Sequence, residues 1–474
     1  MRRVPAVVWI LLLTAAIRLV YGAGYVGYDA YWSVVWGGDL AHAQAPDLER
    51  LLAPTPHPLA VAAGVILAPL GRSADEVFAL AVTASFAALA WASLLAGRRL
   101  FGTAVGVAFA LIVVTRPDLV AETLYASIDV PFAALVVGAL AVEAREGDRR
   151  PALVLVLLGL AGLLRPEGWL LAGAYAVWAI ARERPSRRRA LALIGGAAAA
   201  PLAWMAFDLA FTGDPLHSLH GTQALAEQLA RPRSLGTALE AAPDYLRGLL
   251  DSPALLWGGI AGALVGLWAL YERALLPLAV LVLTLLGFVV LGVSELPLLV
   301  RYLLLPAVML CLFAAVAALG WTSGHGPPAG APRRAWQAGG AVLLVWLAIG
   351  ALDLPDRVDG VQQVTVVRRD LQSELEELAD RPRARVLQAR CGTAYVPNHQ
   401  LIPPLAHEWG RDVYTIVSAQ LELPRRGLLI SPTTPSAQRG FAFDAREPRR
   451  YPFAVPADFR LVEANASWAL YERC

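Results

Sequence analysis

Acidic and arginine side chains interrupt this chain at the ends of its apolar segments, where they could carry out a transfer reaction. Asp29 follows the first apolar segment, and Arg301 begins a late one. A carboxylate can take a proton from an attacking hydroxyl group, and a guanidinium group can hold a phosphate through paired hydrogen bonds. These residue types therefore predict group transfer from a phosphate-linked donor, with Asp29 as the catalytic residue.

Other ionisable side chains lie near the ends of further apolar segments. In the topology derived below, these residues share one side of the membrane with Asp29 and Arg301: Asp39, His57, Arg116, Asp118, Glu122, Asp129, Arg165, Glu167, Asp208, Asp214 and Glu295. Taken alone, each could be an ordinary helix-end charge in contact with water, since clustered charges are often structural. Because all of them are predicted on the same side of the membrane, we expect them to line one water-filled cavity. Ionisable groups at membrane depth are costly unless they face water or one another.

The composition indicates that membrane helices must position these residues. The chain has 474 residues, of which 57% are hydrophobic and 16% are charged, and its mean hydropathy is +0.54. A soluble protein would carry roughly 25% charged residues, so this is an integral membrane protein. We predict a mainly α polytopic bundle of about 11 transmembrane helices, in the runs 4–21, 77–96, 101–115, 128–142, 151–164, 168–181, 190–211, 254–270, 274–293, 303–321 and 336–352.

The arginines indicate how these helices are oriented. The apolar run 58–70 is shorter than the roughly 20 residues that a spanning helix needs. If this run does not cross, most arginines before the tail fall on the cytoplasmic side, as the positive-inside rule requires. We therefore predict a cytoplasmic N-terminus and a juxtamembrane or re-entrant helix over 58–70 in the first outer loop. A second long outer loop, 212–253, contains a predicted amphipathic helix over 235–250.

Hydropathy falls after Leu352, which predicts two domains. Residues 1–352 form the transmembrane domain, and residues 353–474 form a small extracytoplasmic α/β domain. Its predicted elements are a helix over 361–378, a strand over 385–389, a helix over 405–409, a strand over 427–430 and a hairpin over 459–472. Cys391 and Cys474 would lie in an oxidising compartment, where a disulfide could form; the sequence leaves their pairing open.

The inner loops contain no glycine-rich nucleotide-binding loop, whose lysine this chain lacks altogether. We therefore expect no nucleotide site on the cytoplasmic side, and no nucleic-acid partner. The partners that the sequence indicates are a membrane and a phosphate-linked donor.

Six short motifs occur in an order that resembles one family. They are Tyr28-Asp29, Pro54-Thr55-Pro56-His57-Pro58-Leu59, Gly97-Arg98-Arg99-Leu100-Phe101-Gly102, Ile128-Asp129-Val130-Pro131, Arg165-Pro166-Glu167-Gly168 and Arg301-Tyr302-Leu303-Leu304-Leu305-Pro306. Together they resemble the polytopic glycosyltransferases that use lipid-phosphate-linked sugars, which have the C-type glycosyltransferase fold. This superfamily includes protein O-mannosyltransferases and the aminoarabinose transferase of lipid A. The resemblance covers about residues 1–320.

The resemblance implies an envelope enzyme that moves a hexosyl or pentosyl group from a polyprenyl-phosphate donor to a hydroxyl group, with inversion. The acceptor would be an extracytoplasmic lipid, glycan or protein, and mannose is the sugar suggested by many relatives. Asp29 would be the base, and Arg301 would hold the donor phosphate. The remaining substrate-binding residues implied are Glu122 and Asp129, which would orient the acceptor or the base, Arg165 as a second cation, and His57.

One departure from the family leaves metal dependence open. Many relatives carry two adjacent acids after the first span, whereas here Ala30 follows Asp29. A divalent metal with nitrogen ligands from His57, His217 or His220 stays one alternative, and solvated histidines are the other. A transporter or lipid flippase is the alternative function, but the sequence has no internal repeat of the kind common in transporters. A membrane anchor that presents the C-terminal domain is a third interpretation.

Overall fold

The part of the chain before residue 353 folds almost entirely into helices, because its apolar runs satisfy their backbone hydrogen bonds internally only in that form. The computed structural model describes residues 5–50, 52–145, 147, 149–228, 231–324, 329–439 and 454–474. The helices of this part are α1 (Ala6–Tyr21), α2 (Tyr28–Ala41), α3 (Pro58–Leu67), α4 (Ala74–Phe101), α5 (Thr103–Val114), α6 (Pro117–Leu124), α7 (Asp129–Glu143), α8 (Pro151–Gly162), α9 (Glu167–Glu183), α10 (Arg187–Thr212), α11 (His217–Gln228), α12 (Leu235–Leu250), α13 (Pro253–Ala269), α14 (Tyr271–Val293), α15 (Leu304–Leu319) and α16 (Ala331–Gly350).

Several of these helices are long and apolar enough to cross a membrane. Within the described residues there are 4 such helical stretches, or up to 7 if each bent helix pair is one span. Other predicted spans are shorter, since α5 and α8 have 12 residues each, against a usual minimum of ~17. The structure therefore supports a multi-pass membrane protein, while the predicted number of eleven spans stays a prediction.

Helix α15 forms the centre of the bundle. Every residue from Leu304 to Ala318 is buried. Helix α13 approaches it so closely that a Cβ atom on Gly262 would lie 1.7 Å from the carbonyl oxygen of Phe313. Small residues commonly permit such contacts between membrane helices. The short 3-10 helix Val300–Leu303 directly precedes α15, so this packing fixes the position of Arg301.

The first predicted outer loop contains two helices rather than one. Helix α3 covers most of the predicted juxtamembrane run, and a 3-10 helix, Ala68–Ser73, joins it to α4 across Gly71, whose φ of 57° breaks the helical path. Helix α2 was not predicted, because its sequence is rich in tryptophan and tyrosine and lacks a clear apolar face. Trp32 and Trp36 of α2 pack against residues of the C-terminal part, including Leu371 and Leu375. These distant contacts hold α2 in place.

The C-terminal part combines helices with a small sheet. Its elements are α17 (Leu354–Asp380), α18 (Pro382–Cys391), β1 (Ala394–Val396), α19 (Ile402–Trp409), β2 (Ile416–Ser418), β3 (Gly427–Pro432), α20 (Pro435–Ala437), β4 (Arg460–Ala464) and β5 (Trp468–Arg473). The strand order is β2-β1-β3-β5-β4, in which β1 is parallel to β2 and β3, whereas β5 is antiparallel to β3 and β4. The predicted helices, the strand at 427–430 and the closing hairpin are confirmed.

The predicted strand over 385–389 is wrong, because this segment lies inside helix α18. Pro382 suits the first turn of a helix. Ala384 and Leu387 are buried three residues apart, while Val386 is 66% exposed, which is the pattern of one helical face rather than of alternating strand faces. Cys391 ends this helix and forms a disulfide with Cys474, with their Cα atoms 5.3 Å apart, which is a normal separation for such a bond.

Candidate active site

The first helical turn of α2 places Asp29 at one end of the bundle. The segment before it is tied to the end of α6, because the amide of Tyr25 donates to the carbonyl of Leu124 at 2.7 Å and the amide of Gly27 donates to that of Tyr125 at 3.0 Å. Gly27 is required here, since a Cβ atom at this position would lie 2.2 Å from the ring of Tyr125. This close backbone approach fixes the start of α2, and with it the carboxyl group of Asp29.

Asp29 forms an ion pair with Arg301, which comes from a distant part of the sequence. The Nε atom of Arg301 also lies 3.4 Å from Oδ2 of Asp129. Both side chains of the Asp29 and Arg301 pair are 20% exposed. Arg301 therefore bridges two carboxylates and stays accessible from outside the protein.

A second arginine supports this pair from inside the bundle. Nη1 of Arg165 donates to Oδ1 of Asp129 at 2.5 Å, and its Nη2 and Nε donate to the two carboxylate oxygens of Glu167 at 2.6 and 3.2 Å. The guanidinium group also lies 4.0 Å from the ring centroid of Tyr302. Arg165 and Asp129 are buried, with side-chain exposures of 7% and 3%. They form a scaffold behind the more accessible outer pair.

His57 and Glu122 complete the predicted set. His57 is half-buried, with its ring edge-on to Trp204, and its buried Nδ1 has no hydrogen-bond partner within the described residues. Its electrostatic partners include Asp29, and burial lowers the pKa of the His57 imidazole to about 4. His57 is therefore neutral near pH 7. Glu122 interacts electrostatically with Arg301. All six predicted site residues thus lie in one cluster.

The electrostatic surroundings of Asp29 keep it charged. Helix α2 is outside the candidate membrane spans. Burial raises the pKa of the Asp29 carboxyl. Arg301, Arg231 and His57 together lower this pKa by more than burial raises it, so the net pKa is below the usual value. Arg231 was not predicted as a site residue, because it lies in a long polar loop with no recognisable motif around it. Only the folded structure brings this second cation close to Asp29.

Other predicted outer charges do not join this cluster. Asp39 lies at the opposite end of α2 from Asp29, and Arg116 donates to the carbonyl of Leu250 at 3.0 Å. Asp208 accepts hydrogen bonds from Ser218, and Asp214 pairs with His220. These residues act as local structural contacts. Among the described residues, no group of three His, Cys, Asp or Glu side chains could hold a metal ion.

Comparison with solved structures identifies the architecture. ArnT from Cupriavidus metallidurans bound to undecaprenyl phosphate is similar over 98% of this chain and 97% of its own, with 14% identity and a TM-score of 0.58. The oligosaccharyltransferase of Archaeoglobus fulgidus tethered with an acceptor peptide is similar over 94% of this chain and 71% of its own, with 12% identity and a TM-score of 0.52. The chain has the C-type glycosyltransferase fold. No protein-family model and no curated protein matches its sequence.

These similarities confirm the resemblance that the six motifs indicated, at the level of the fold. They extend it beyond residues 1–320, because the first similarity spans nearly the whole chain, including the C-terminal part. At identities of 12 to 14%, fold is what the comparison establishes. The chemistry has to be argued from the side chains of this protein.

Proposed function

We propose that this protein is a membrane glycosyltransferase that moves a sugar from a polyprenyl-phosphate donor to an acceptor hydroxyl group on the extracytoplasmic side. The observation that carries the proposal is the accessible Asp29 and Arg301 pair, held in place by a buried scaffold. The pair combines a carboxylate that can accept a proton with a guanidinium group suited to phosphate. The fold supports the same conclusion, since solved structures of this architecture include transferases.

Arg301 has donor capacity to offer a phosphate group. Its Nε has no hydrogen-bond partner within the described residues, although it is buried. Its charge is shared with the carboxylate of Asp129, 3.4 Å away, but its hydrogen-bonding capacity is unused, so a phosphate oxygen that accepts from it would be favoured. When the donor phosphate binds Arg301, it competes with Asp29 for the guanidinium group. Donor binding therefore frees the carboxylate that the reaction needs as a base.

The reaction is then a single displacement. The acceptor oxygen forms a bond to the anomeric carbon while the bond from that carbon to the donor phosphate breaks. The acceptor proton goes to Asp29, and the bonding electron pair leaves with the polyprenyl phosphate, whose developing negative charge Arg301 stabilises. Attack opposite the leaving group inverts the anomeric centre. Asp129 acts as a positioning residue for Arg301, and it is held in turn by Arg165, which pairs with Glu167.

The substrates are proposed by class. Undecaprenyl phosphate is bound in the similar ArnT structure, which supports a polyprenyl-phosphate donor here. A mannose-like sugar and a lipid, glycan or protein acceptor in the cell envelope follow from the family resemblance. His57 and Glu122 border the cluster and are proposed to contact the sugar or the acceptor. The proposed orientation has a cytoplasmic N-terminus and places the C-terminal part, with its disulfide, outside the cytoplasm.

The assay for this function uses the purified full chain, a polyprenyl-phosphate sugar and the envelope fraction as acceptor. We expect Arg301→Ala to raise the donor KM and lower kcat, and Arg301→Lys to recover part of both, because a lysine keeps the charge but loses the paired hydrogen bonds. Asp39→Asn is the matched control, since it removes a carboxylate from the other end of the same helix. Normal transfer by Arg301→Ala would contradict the proposed phosphate contact.

A further inference from the structure

A basic cavity lies at the end of the bundle opposite to Asp29. Its volume is about 430 Å³, and its lining includes Arg98, Arg99, Arg145 and Arg273. Helix α4 connects the two ends. Asp75 in its first turn accepts a hydrogen bond from Tyr31, two positions after Asp29, and the helix ends at this cavity after 28 residues. At 1.5 Å per residue, the two sites are roughly 40 Å apart. The cavity is therefore separate from the candidate active site.

The four arginines divide into structural and available cations. Arg273 donates to the carbonyls of Arg99 and Leu100 at 3.2 and 3.0 Å, and Arg99 donates to the carbonyl of Ala141. These contacts join α4, α7 and α14. Across the part of the chain that the structure describes, neither Arg98 nor Arg145 has a carboxylate within ion-pair distance. Arg98 and Arg145 therefore line the cavity with positive charges that no described carboxylate neutralises.

Neutral donors lie beside these cations. Ser323 is 9% exposed, and its hydroxyl group is buried without a hydrogen-bond partner in the described residues. It lies next to Gly102, the residue before α5, which has a φ of 101° and no capping side chain. The first amide of α5 to donate a hydrogen bond within the helix is that of Gly106. The amides of residues 103–105, in the first turn, therefore have no acceptor within the helix. Such a helix N-terminus attracts anions.

We propose that this cavity binds a phosphate group. Two arginines, a buried hydroxyl group and the N-terminus of a 12-residue helix converge on it, and phosphate accepts hydrogen bonds from all three kinds of donor. The group comes from an anionic phospholipid headgroup or from soluble phosphate. Trp321, two positions before Ser323, is the type of residue that marks a membrane boundary. The proposal does not depend on the transferase activity.

Native mass spectrometry of the purified full chain in detergent tests the proposal, with phosphatidylglycerol as the probe and phosphatidylcholine as the neutral comparison. We expect preferential binding of phosphatidylglycerol. Arg98→Gln with Arg145→Gln should weaken it on the order of ten-fold, and Ser323→Ala should weaken it less. The matched control is Arg187→Gln with Arg188→Gln, which removes two exposed charges at the same end of the bundle and should leave binding within about two-fold.

Competition with inorganic phosphate separates the two sources. Displacement of phosphatidylglycerol by millimolar phosphate supports a site for soluble phosphate, and retention supports a lipid headgroup. The proposal is overturned if neither phosphatidylglycerol nor inorganic phosphate binds. It is also overturned if the Arg98 and Arg145 variant binds phosphatidylglycerol as tightly as the original chain, or if the control variant loses as much of this binding. Because Arg99 and Arg273 keep their structural contacts in every variant, a general loss of folding is not expected, and a thermal unfolding curve checks this.

Discussion

The buried carboxylate of Asp129 gives a sharp prediction, because it contacts both arginines of the cluster. Asp129→Asn keeps the shape of the side chain and removes its charge. Arg165 retains the paired bonds to Glu167, so the loss of stability should be near the lower end of the cost of breaking a buried ion pair, about 3 kcal/mol. Arg301 loses one of its two carboxylate neighbours and should bind Asp29 more tightly.

A tighter Asp29 and Arg301 pair hinders both partners in the proposed reaction. The carboxylate becomes a weaker base, and the guanidinium group is less available to the donor phosphate. We therefore expect kcat for sugar transfer to fall at least about ten-fold, which corresponds to about 1.4 kcal/mol in the barrier. The assay is transfer from a polyprenyl-phosphate sugar, measured together with thermal unfolding of the same preparation.

Glu167→Gln is the control that separates stability from positioning. It removes a carboxylate from Arg165 but none from Arg301. We expect a similar loss of stability and a much smaller change in kcat. The reasoning is refuted if Asp129→Asn transfers sugar at the normal rate, or if Glu167→Gln loses as much activity at equal stability.

Two further predictions concern the C-terminal part. Replacing Cys391 and Cys474 by serine should destabilise it by about 2 to 4 kcal/mol, measured by thermal unfolding; an unchanged midpoint would contradict this. Burial raises the pKa of Glu376 in α17 to about 7, so the folded state binds a proton that the unfolded state releases. Stability should then fall as pH rises from about 4.5 to 7, and Glu376→Gln should flatten this dependence; an equally steep pH profile in that variant would exclude Glu376 as its source.

The sequence was sufficient to predict most members of the ionic cluster. Asp29, Asp129, Arg165 and Arg301 each lie near the end of an apolar run, and charges at that depth are costly in a membrane unless the groups meet one another or water. The structure brings them into contact. The interpretation of these residues as ordinary hydrated helix ends does not fit Asp129 and Arg165, which are buried and paired.

Other features depend on contacts that no local pattern records. Helix α2 forms because Trp32 and Trp36 pack against residues more than three hundred positions later. Arg231 approaches Asp29 from a loop without a motif. The wrong strand prediction in α18 falls on a short segment whose local sequence does not show the helical face that the burial of Ala384 and Leu387 reveals. In each case, tertiary packing decided the outcome.

The most direct test of the proposed mechanism separates donor binding from chemistry in Asp29→Asn. We predict that this variant binds polyprenyl phosphate at least as tightly as the original chain, because Arg301 loses its competing carboxylate. We also predict that its single-turnover rate of sugar transfer falls about 10²- to 10⁴-fold, as expected for loss of a general base. A near-normal single-turnover rate in Asp29→Asn would contradict the central claim that this carboxylate is the catalytic base.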